Sequence, residues 1–360
     1  MGDSGDSCTD HEHHRHLGHQ AVSVAHGPFV TRPFRFGLQS YAPTSATQWR
    51  EQARRAEELG FSTFSLADHV IGPGPALAPT GHSVQTVAAI PAMAVAAEAT
   101  STIRIGSRVL CIHYRNPVML AKELATLDFF SGGRLEMGIG AGWLENEYTA
   151  MGLAFDQAGV RLDRLEETIS LLRASFADGE VDEVGRHVHA TGYEAVPKPV
   201  QRPMPPLMIG GGARRVLGIA GREADIVSLN FDNSSGRLGA DGVGSSTAAL
   251  TEQKVEWIKA GAGARFAEIE LEIGAYFTVV VPESSIGGSG AAEATIAKMA
   301  GMFGLEPDEF ARHPHALIGS VDEICDRLTE RRDRYGISYV TFGSSVMEAV
   351  APVVARLSGT

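Results

Sequence analysis

The sequence has few cysteines, few lysines and no long apolar run, and each shortage narrows the class of protein. Its 360 residues include three cysteines, Cys8, Cys111 and Cys325. Their wide spacing and odd number argue against a disulfide framework and favour a reducing cytoplasm. No stretch of about 18 apolar residues is present, which excludes a membrane-spanning helix. The N-terminus carries Asp and His instead of a basic start and an apolar run, so we expect no secretory signal.

Basic residues are outnumbered by acidic ones. The chain has 31 Lys plus Arg against 43 Asp plus Glu, a net charge of −12. Nucleic-acid binders need clustered Lys or Arg for phosphate contacts, so this balance argues against that class. Only five of the 31 basic residues are lysines. Such an Arg-rich composition, with abundant Ala and Gly, is typical of a GC-rich bacterium.

The first 32 residues differ in composition from the rest. Six of the 13 histidines fall within the first 26 residues, among Asp, Glu, Ser and Gly. A histidine-rich tract can bind metal. Because no apolar periodicity would anchor this one, we predict a flexible tail over residues 1–32 and a single domain over residues 33–360.

From residue 33 onward, short apolar strands alternate with amphipathic helices. The predicted strands are Phe34–Gln39, Phe61–Ala67, Thr102–Leu110, Arg134–Gly140, Leu207–Gly210, Asp225–Asn230, Leu271–Val281 and Ser338–Gly343. Eight such alternations indicate a parallel sheet whose crossovers are helices. We predict a closed (β/α)8 TIM barrel in preference to an open doubly wound sheet, with segments 178–205, 231–266 and 282–316 as inserted loops at the C-terminal face.

Helix boundaries carry capping signals. Asn116 followed by Pro117 predicts a helix start, because Asn caps well and proline suits the first helical position. Ser320 and Glu323 form a capping-box pair, and Gly336 stands where a C′ glycine belongs.

Two glycine-rich runs follow predicted strands. Gly210–Gly212 precede a predicted helix whose free N–H groups and positive dipole end suit a phosphate. A tight strand-to-helix turn explains the same glycines equally well. Gly138–Gly142 has G-x-G-x-G spacing, which is not the dinucleotide pattern G-x-G-x-x-G.

Side chains that follow the predicted strands are the candidates for chemistry, because a barrel holds its active site there. His69, next to Asp68, suits an acid/base group, a metal ligand or a buried core histidine. Cys111 ends an apolar strand and is more typical of a packed thiol than of a nucleophile. His187 and His189 fit no zinc spacing with a third ligand, so we predict no metal site.

Taken in order, several segments resemble one family. They are FRFGLQ, LADH, IRIGSRVL, YRNPVMLAKELATLD, GRLEMGIGAGWLENEY, RLDRLEETISLL, PPLMIGGGARRVLGIAGREADIVSL, LIGSVDEICDRL and GISYVTF. Together they resemble the bacterial luciferase-like monooxygenase superfamily, and more narrowly its actinobacterial branch that uses the deazaflavin F420. The resemblance implies a TIM barrel with a flavin or deazaflavin across the strand ends.

The same resemblance implies roles for single residues. His69 matches the histidine beside the cofactor ring, a proton donor or substrate-orienting group. The bond Arg108–Val109 matches a cis peptide whose bulge supports the ring. Gly211 to Arg214 match a phosphate cradle. In full, the implied cofactor contacts are Asp68, Arg108, Val109, Ala141, Asn146, Gly211, Gly212, Ala213 and Arg214.

Trp143 departs from the family pattern. The sugar-phosphate and alcohol dehydrogenases of the family have a carboxylate at this position, just after the Gly-x-Gly of the fourth strand. We therefore do not expect sugar-phosphate oxidation, and Trp143 instead indicates an apolar or aromatic substrate pocket. The candidate catalytic residues are His69, His113 and Glu145.

These observations predict an F420-dependent oxidoreductase that transfers a hydride between the deazaflavin and a small organic substrate, such as an activated alkene, an imine or a carbonyl/alcohol pair. The alternative is an FMN-dependent monooxygenase that uses reduced flavin and O2, and a third reading is a non-catalytic flavin-binding relative. The Arg-rich composition favours F420. We expect a cytoplasmic homodimer, without nucleic-acid or membrane partners, supplied by an F420- or flavin-reducing enzyme.

Overall fold

The central feature of the fold is a barrel of eight parallel strands. The computed structural model describes residues 31–236, 239–282 and 288–360. The barrel strands, numbered in chain order, are β1 Arg35–Gln39, β2 Thr63–Leu66, β3 Arg104–Ser107, β4 Leu135–Gly140, β5 Leu207–Gly211, β6 Ile226–Leu229, β7 Glu270–Ala275 and β8 Ile337–Gly343. Neighbours in the chain pair in parallel, and β1 also pairs with β8 to close the ring. The fold is a TIM barrel, as predicted.

Helices surround the barrel and bury its outer face. They span Ala46–Glu58, Ala89–Ala99, Pro117–Phe130, Glu145–Ala150, Ala158–Phe176, Arg214–Glu223, Ala240–Gly244, Ala248–Ala262, Gly288–Phe303, Pro307–Ala311, Val321–Tyr335 and Met347–Leu357. Apolar side chains between these helices and the strands form the main core. None of the helices in the described part of the chain has the length and apolarity that a membrane span requires.

The predicted caps are present. The Asn116 side chain accepts from the Val118 N–H at 2.9 Å, and Pro117 is the first helical residue. Ser320 and Glu323 form a reciprocal capping box, and Gly336 has a φ of 76° at the end of the same helix. Cys111 and Cys325 are buried free thiols, while Cys8 and the other residues up to 30 lie outside the described residues.

The predicted seventh strand is divided in two. Glu270–Ala275 belongs to the barrel, but Phe277–Val280 leaves it and pairs in parallel with Ala316–Gly319. With the helices Gly288–Phe303 and Pro307–Ala311, this pair buries its own small core. We call residues 277–319 the insert. The continuous apolar run in the sequence gave no sign of this change of sheet, because each half packs its apolar side chains on a different core.

One of the three predicted mouth insertions lies elsewhere. Residues 178–205 connect the end of the helix Ala158–Phe176 to the start of β5, which is the N-terminal face of the barrel. Their antiparallel hairpin, Glu180–Val184 with His189–Glu194, packs on that helix through Leu171. Apolar alternation and a loop length reveal an insertion, but they do not tell on which face it lies.

Ion pairs fill the N-terminal end of the barrel interior. Arg35 on β1 contacts Glu136 at 2.8 Å and Glu270 at 2.5 Å. Tyr339 donates a hydrogen bond to Glu136 at 2.8 Å, and the Arg35 guanidinium lies 3.5 Å from the centre of the Tyr339 ring. The open end for a ligand is therefore the opposite one, where the strands end.

Candidate active site

Four rings from three strand ends meet at the barrel mouth. His69 follows β2, and its ring centre lies 3.8 Å from that of His82, in the connection to the next helix. Trp143 follows β4 and lies 6.0 Å from His69, while Tyr41, after β1, lies 6.2 Å from His82. We call Tyr41, His69, His82 and Trp143 the ring cluster. It gives this side of the mouth an aromatic wall that includes His82, to which the sequence did not point, and a substrate pocket at Trp143 stays a prediction.

A buried carboxylate holds His69. The Glu147 side chain has no exposed area, and its Oε2 lies 2.9 Å from His69 Nδ1. Tyr114 donates to the same oxygen at 2.9 Å, and the Val70 N–H donates to Oε1 at 2.5 Å. Burial opposes ionisation of Glu147, but hydrogen bonds from His69, Val70 and Tyr114 outweigh it and lower the pKa of this carboxyl group.

His82 is neutral at the mouth. Burial, and to a smaller extent the nearby His69, lower the pKa of His82 to about 4. Its Nδ1 lies 2.8 Å from the Ser83 carbonyl oxygen, so the neutral ring donates there and retains Nε2 as an acceptor. His82 therefore adds a polar but uncharged edge to the ring cluster.

Val109 follows β3, the strand next to β2, and packs on Gly138 and Gly140 of β4 and Gly210 of β5, which we call the glycine floor. The Arg108–Val109 peptide bond is cis, as the resemblance implied. A Cβ at Gly140 would come within 2.8 Å of Val109 Cγ2, and one at Gly210 within 3.4 Å of Val109 Cγ1. At Gly138 a Cβ would lie 1.8 Å from the Ser107 carbonyl oxygen. Gly138 and Gly140, the first two glycines of the G-x-G-x-G run, thus make room for the chain around Val109, whose half-buried side chain forms an apolar platform.

The Arg108 side chain turns into the barrel. Its Nε donates to Glu272 at 2.9 Å, and its Nη1 donates to the Tyr276 hydroxyl at 3.0 Å. The Arg108 carbonyl accepts from Gln39 at 2.8 Å. The Arg108 Nη2 is buried without a hydrogen-bond partner among the residues described, and a cofactor contact by Arg108 stays a prediction.

Asp68 is also engaged within the chain. Both of its carboxylate oxygens accept from the Arg115 guanidinium, Oδ1 at 2.8 Å, and Oδ2 accepts from the Cys111 N–H at 3.0 Å. These bonds join the end of β2 to the segment that follows β3. They bring His69 and Val109 to neighbouring strand ends, and a cofactor contact by Asp68 stays a prediction.

Close packing requires the two glycines at the end of β5, Gly211 and Gly212. A Cβ at Gly212 would lie 2.2 Å from the Phe231 carbonyl oxygen, and one at Gly211 would lie 2.4 Å from a methyl carbon of Val216. The turn nevertheless fits an anion. No side chain caps the helix Arg214–Glu223, whose N-cap is Ala213. A helix start of this kind presents free N–H groups and a positive dipole end to a phosphate.

Two consecutive arginines differ at this turn. Arg215 forms ion pairs with Asp163 and Glu166. Arg214 is exposed, and no ion pair joins it to another residue in the described ranges. The positive charge of Arg214 and the free N–H groups at the uncapped helix start both have the polarity that a cofactor phosphate requires.

The remaining predicted residues lie around this centre. The His113 ring packs 5.3 Å from the Tyr148 ring, and burial and the nearby Arg164 lower the pKa of His113. Glu145 is exposed, whereas Glu147, two residues on, is buried. Two residues rotate a helix by about 200°, so these two carboxylates face opposite ways. The structure brings neither His113 nor Glu145 to His69.

Ala141 and Asn146 lie near the ring cluster. Asn146 donates to the Ala76 carbonyl at 3.1 Å, which ties the short helix to the connection after β2. The Ala141 carbonyl accepts from Tyr148 at 3.3 Å. Sequence reasoning missed Glu147, whose signal was a carboxylate between Leu144 and Tyr148 on the apolar side of a short helix. Among the residues that the structure describes, no group of His, Cys, Asp and Glu side chains is arranged to hold a metal ion.

Two fully buried histidines, His313 and His315, lie on the opposite side of the mouth, and we call them the sealed histidine pair. His313 Nε2 donates to the Val243 carbonyl at 3.0 Å, and its Nδ1 accepts from the His315 N–H at 3.2 Å. His315 Nδ1 donates to the Gly274 carbonyl at 2.7 Å. Burial lowers the pKa of His313 to about 4 and that of His315 well below its ordinary value. Both histidines are neutral and join the insert to the barrel.

A buried lysine supports the same side. Lys254 Nζ donates to the Asn230 carbonyl and to Ser246 Oγ, both at 2.6 Å, and burial lowers its pKa to about 8. The Asn230 side chain accepts from the Tyr276 hydroxyl at 3.1 Å. Tyr276 is 40% exposed, so this network ends on a ring that faces the mouth.

Comparison with known families agrees with this geometry. The model of the luciferase-like monooxygenase family matches residues 29–338. The chain belongs to that family. An F420-dependent glucose-6-phosphate dehydrogenase of Amycolatopsis mediterranei is 33% identical over 179 residues, 49% of this chain and 50% of that protein. The chain thus spans about half the length of this curated relative.

Other members of the family differ in cofactor. An FMNH2-dependent dimethylsulfone monooxygenase of Pseudomonas putida is 32% identical over 121 residues, 34% of this chain and 33% of that protein. The structure of an F420-dependent tetrahydromethanopterin reductase from Methanopyrus kandleri superposes with a TM-score of 0.70 at 20% identity, over 91% of this chain and 98% of that one. At that identity the likeness concerns the fold. The curated relatives of this chain therefore include an F420-dependent and an FMNH2-dependent enzyme.

Proposed function

We propose that this family member is an F420-dependent oxidoreductase that transfers a hydride between the deazaflavin and a small organic substrate. The observation that carries the proposal is the juxtaposition at two neighbouring strand ends. Val109, after β3, offers an apolar platform for a flat ring, and His69, after the neighbouring strand β2 and held by Glu147, offers a proton-exchanging group. Hydride transfer to a carbon needs both a supported ring and a nearby proton.

Different residues would bind the cofactor, orient it and exchange the proton at such a site. When bound, F420 would supply the hydride-donating or hydride-accepting carbon. The helix start after Ala213 and the charge of Arg214 would hold its phosphate, and Ala141 and Asn146 would flank the ring. His69 would exchange the proton, and the ring cluster would exclude water from the reacting atoms.

The mouth favours an uncharged substrate. Trp143 occupies the place where a carboxylate was expected for a sugar-phosphate or alcohol dehydrogenase, and His82 beside it is neutral. An uncharged, aromatic wall stabilises a flat apolar or unsaturated substrate better than a hydrated phosphate ester. We therefore propose activated alkenes, imines and ketones as the substrate class, and not a sugar phosphate.

The second candidate function is an FMN-dependent monooxygenase. It is favoured by the relative that uses reduced FMN, because that protein shares the family and a similar identity over its matched segment. Such an enzyme would take reduced flavin from a separate reductase and would consume O2.

A side-by-side titration decides between these cofactors. Purified protein is mixed with F420 or with FMN, and cofactor fluorescence is followed to saturation. We expect tighter binding of F420, followed by anaerobic oxidation of reduced F420 when an activated alkene, imine or ketone is added. Selective binding of FMN together with substrate-dependent O2 consumption would establish the second candidate instead.

We also propose that the protein is a homodimer. The helix Pro117–Phe130 exposes Phe129 and Phe130 at 57% and 67% of their surfaces. Lys122 of the same helix donates to the carbonyl of Val196, which is also exposed. Apolar patches of this kind usually mark an interface. Sedimentation analysis should give a dimer, and Phe130→Glu should shift it towards monomer while an Arg50→Glu control, on another exposed helix, should not.

A further inference from the structure

Glu147 links three strand-end segments through four hydrogen bonds. Its Oε2 contacts His69 Nδ1 and the Tyr114 hydroxyl, each at 2.9 Å. Its Oε1 accepts from the backbone N–H groups of Val70 at 2.5 Å and Ile71 at 3.2 Å. An ionised carboxylate can only accept hydrogen bonds, so each of these four partners must be a donor.

This requirement fixes the proton on His69. Because Nδ1 faces an acceptor, Nδ1 carries the hydrogen, and in the neutral ring Nε2 is left with a lone pair. Free histidine in water favours the opposite tautomer, with the proton on Nε2. A buried carboxylate in this position therefore selects one of two forms that differ little in energy for the isolated side chain.

The environment of the ring keeps that form in place. The His69 side chain is only 11% exposed, with His82 against its face and Trp143 at its edge. Rotation of the ring would break the bond between His69 Nδ1 and Glu147. The nitrogen that remains available for a ligand is Nε2.

We propose that Glu147 is the positioning residue for His69, fixing the Nδ1–H tautomer so that Nε2 exchanges the proton with the substrate. The second half of this statement rests on the proposed function, whereas the tautomer does not. A purely structural role, in which Glu147 only fastens the loop after β2, predicts the same fold but no dependence of the His69 tautomer on the charge of Glu147.

Glu147→Gln separates these roles. The amide keeps the size of the side chain, and its oxygen can still accept from Val70 and Ile71. Its NH2 group then faces His69 Nδ1, which must become an acceptor, so the proton moves to Nε2. We expect turnover to fall about 10²–10⁴-fold, the range for a catalytic histidine held in the wrong tautomer, with cofactor affinity changed less than about twofold.

Nitrogen NMR reads the tautomer directly. Protein labelled with ¹⁵N-histidine is studied by long-range ¹H–¹⁵N correlation, and His69 is assigned from the signals lost in His69→Asn. We expect Nδ1–H in the unsubstituted protein and Nε2–H in Glu147→Gln. The matched control is Tyr114→Phe, which removes one donor from the same carboxylate and should retain the Nδ1–H form.

The outcomes are distinct. An Nε2–H tautomer in the unsubstituted protein would overturn the proposal without any variant, as would an unchanged tautomer in a folded Glu147→Gln protein. Full turnover in Glu147→Gln despite a reversed tautomer would overturn the catalytic half. If F420 does not bind but the tautomer reverses as expected, the proposed function fails and the positioning of His69 by Glu147 stands.

Discussion

Histidines occur on both sides of the barrel mouth, and their partners make them different groups. On the β2 side, His69 faces the carboxylate of Glu147. On the β7 side, His313 and His315 face the carbonyl oxygens of Val243 and Gly274. All three rings are largely buried. Burial alone therefore does not tell a reactive histidine from a structural one.

The charge of the partner makes the difference. A carboxylate interacts favourably with both the neutral and the protonated ring, whereas a carbonyl dipole cannot offset the loss of hydration of a charged ring. Consistent with this, burial lowers the pKa of His313 to about 4. The sealed histidine pair joins the insert to the barrel, whereas His69 is the ring that we propose to exchange a proton with the substrate.

The largest expected effect comes from removing the His69 ring, which we propose to be the reactive one. His69→Ala should lower turnover by about 10²–10⁴-fold, the usual contribution of a general acid or base, while cofactor affinity and folding persist. Steady-state kinetics and fluorescence titration measure the two quantities. His189→Ala, an exposed histidine of the hairpin, is the control and should change neither. Full activity of His69→Ala would reduce His69 to a packing residue.

The pH dependence of the unfolding free energy tests whether His313 of the sealed histidine pair is buried in its neutral form. The unfolded chain binds a proton on His313 near pH 6.5, whereas the folded one resists it down to about pH 4. The free energy of unfolding should therefore fall as the pH drops from about 6.5 to about 4, by up to about 3 kcal/mol from this residue. Urea unfolding at several pH values measures it.

His313→Gln serves as the comparison for that experiment. The glutamine amide can still donate to the Val243 carbonyl, but it does not titrate. Its curve of unfolding free energy against pH should be flatter than that of the unsubstituted protein over this window. Parallel curves would show that His313 does not contribute to acid sensitivity.

The two arginines at the start of the helix Arg214–Glu223 extend this comparison to a charge without an ion pair and a charge with one. Arg214→Gln should weaken cofactor binding about tenfold, or about 1.4 kcal/mol, because it removes an unpaired charge at the helix start. Arg215→Gln, where the charge is already neutralised by Asp163, should change affinity less than threefold, since exposed pairs contribute about 1 kcal/mol at most. Fluorescence titration of both variants measures this. Equal cofactor affinities of the two variants would show that Arg214 does not contact the cofactor.

Gly212→Asp is a poorer probe of the same turn, because any Cβ at this position meets the Phe231 backbone.

The smallest effect is expected from the histidine-rich N-terminus. Deleting residues 1–30 removes six of the 13 histidines but should change the free energy of unfolding by less than about 0.5 kcal/mol. Arg32 is retained because it donates to the Ala267 carbonyl at 2.8 Å. Thermal unfolding measures the change. A large loss of stability would show that these histidines also belong to a packed structure.

Local signals in the sequence predicted the barrel well. Apolar runs gave the strands, and caps such as Asn116 and Ser320 gave helix starts, because each depends on a few neighbouring residues. Contacts between distant residues were not predictable. The Arg108 partner, Glu272, lies 164 positions away. Glu147 lies two residues after the predicted candidate Glu145. The rotation of the short helix Glu145–Ala150 decides which of these two carboxylates reaches His69.

The glycine floor under Val109 constrains how this protein can change. Any side chain at Gly138 meets the Ser107 backbone, and one at Gly140 meets Val109. A mutational path that alters the floor must therefore alter several positions together, since each single step is costly. Trp143 and His82 stand outside the strands and are not glycines enclosed in this way. In directed evolution, libraries placed on these two positions should retain folded variants and diversify substrate preference, while libraries on the floor should yield few folded proteins.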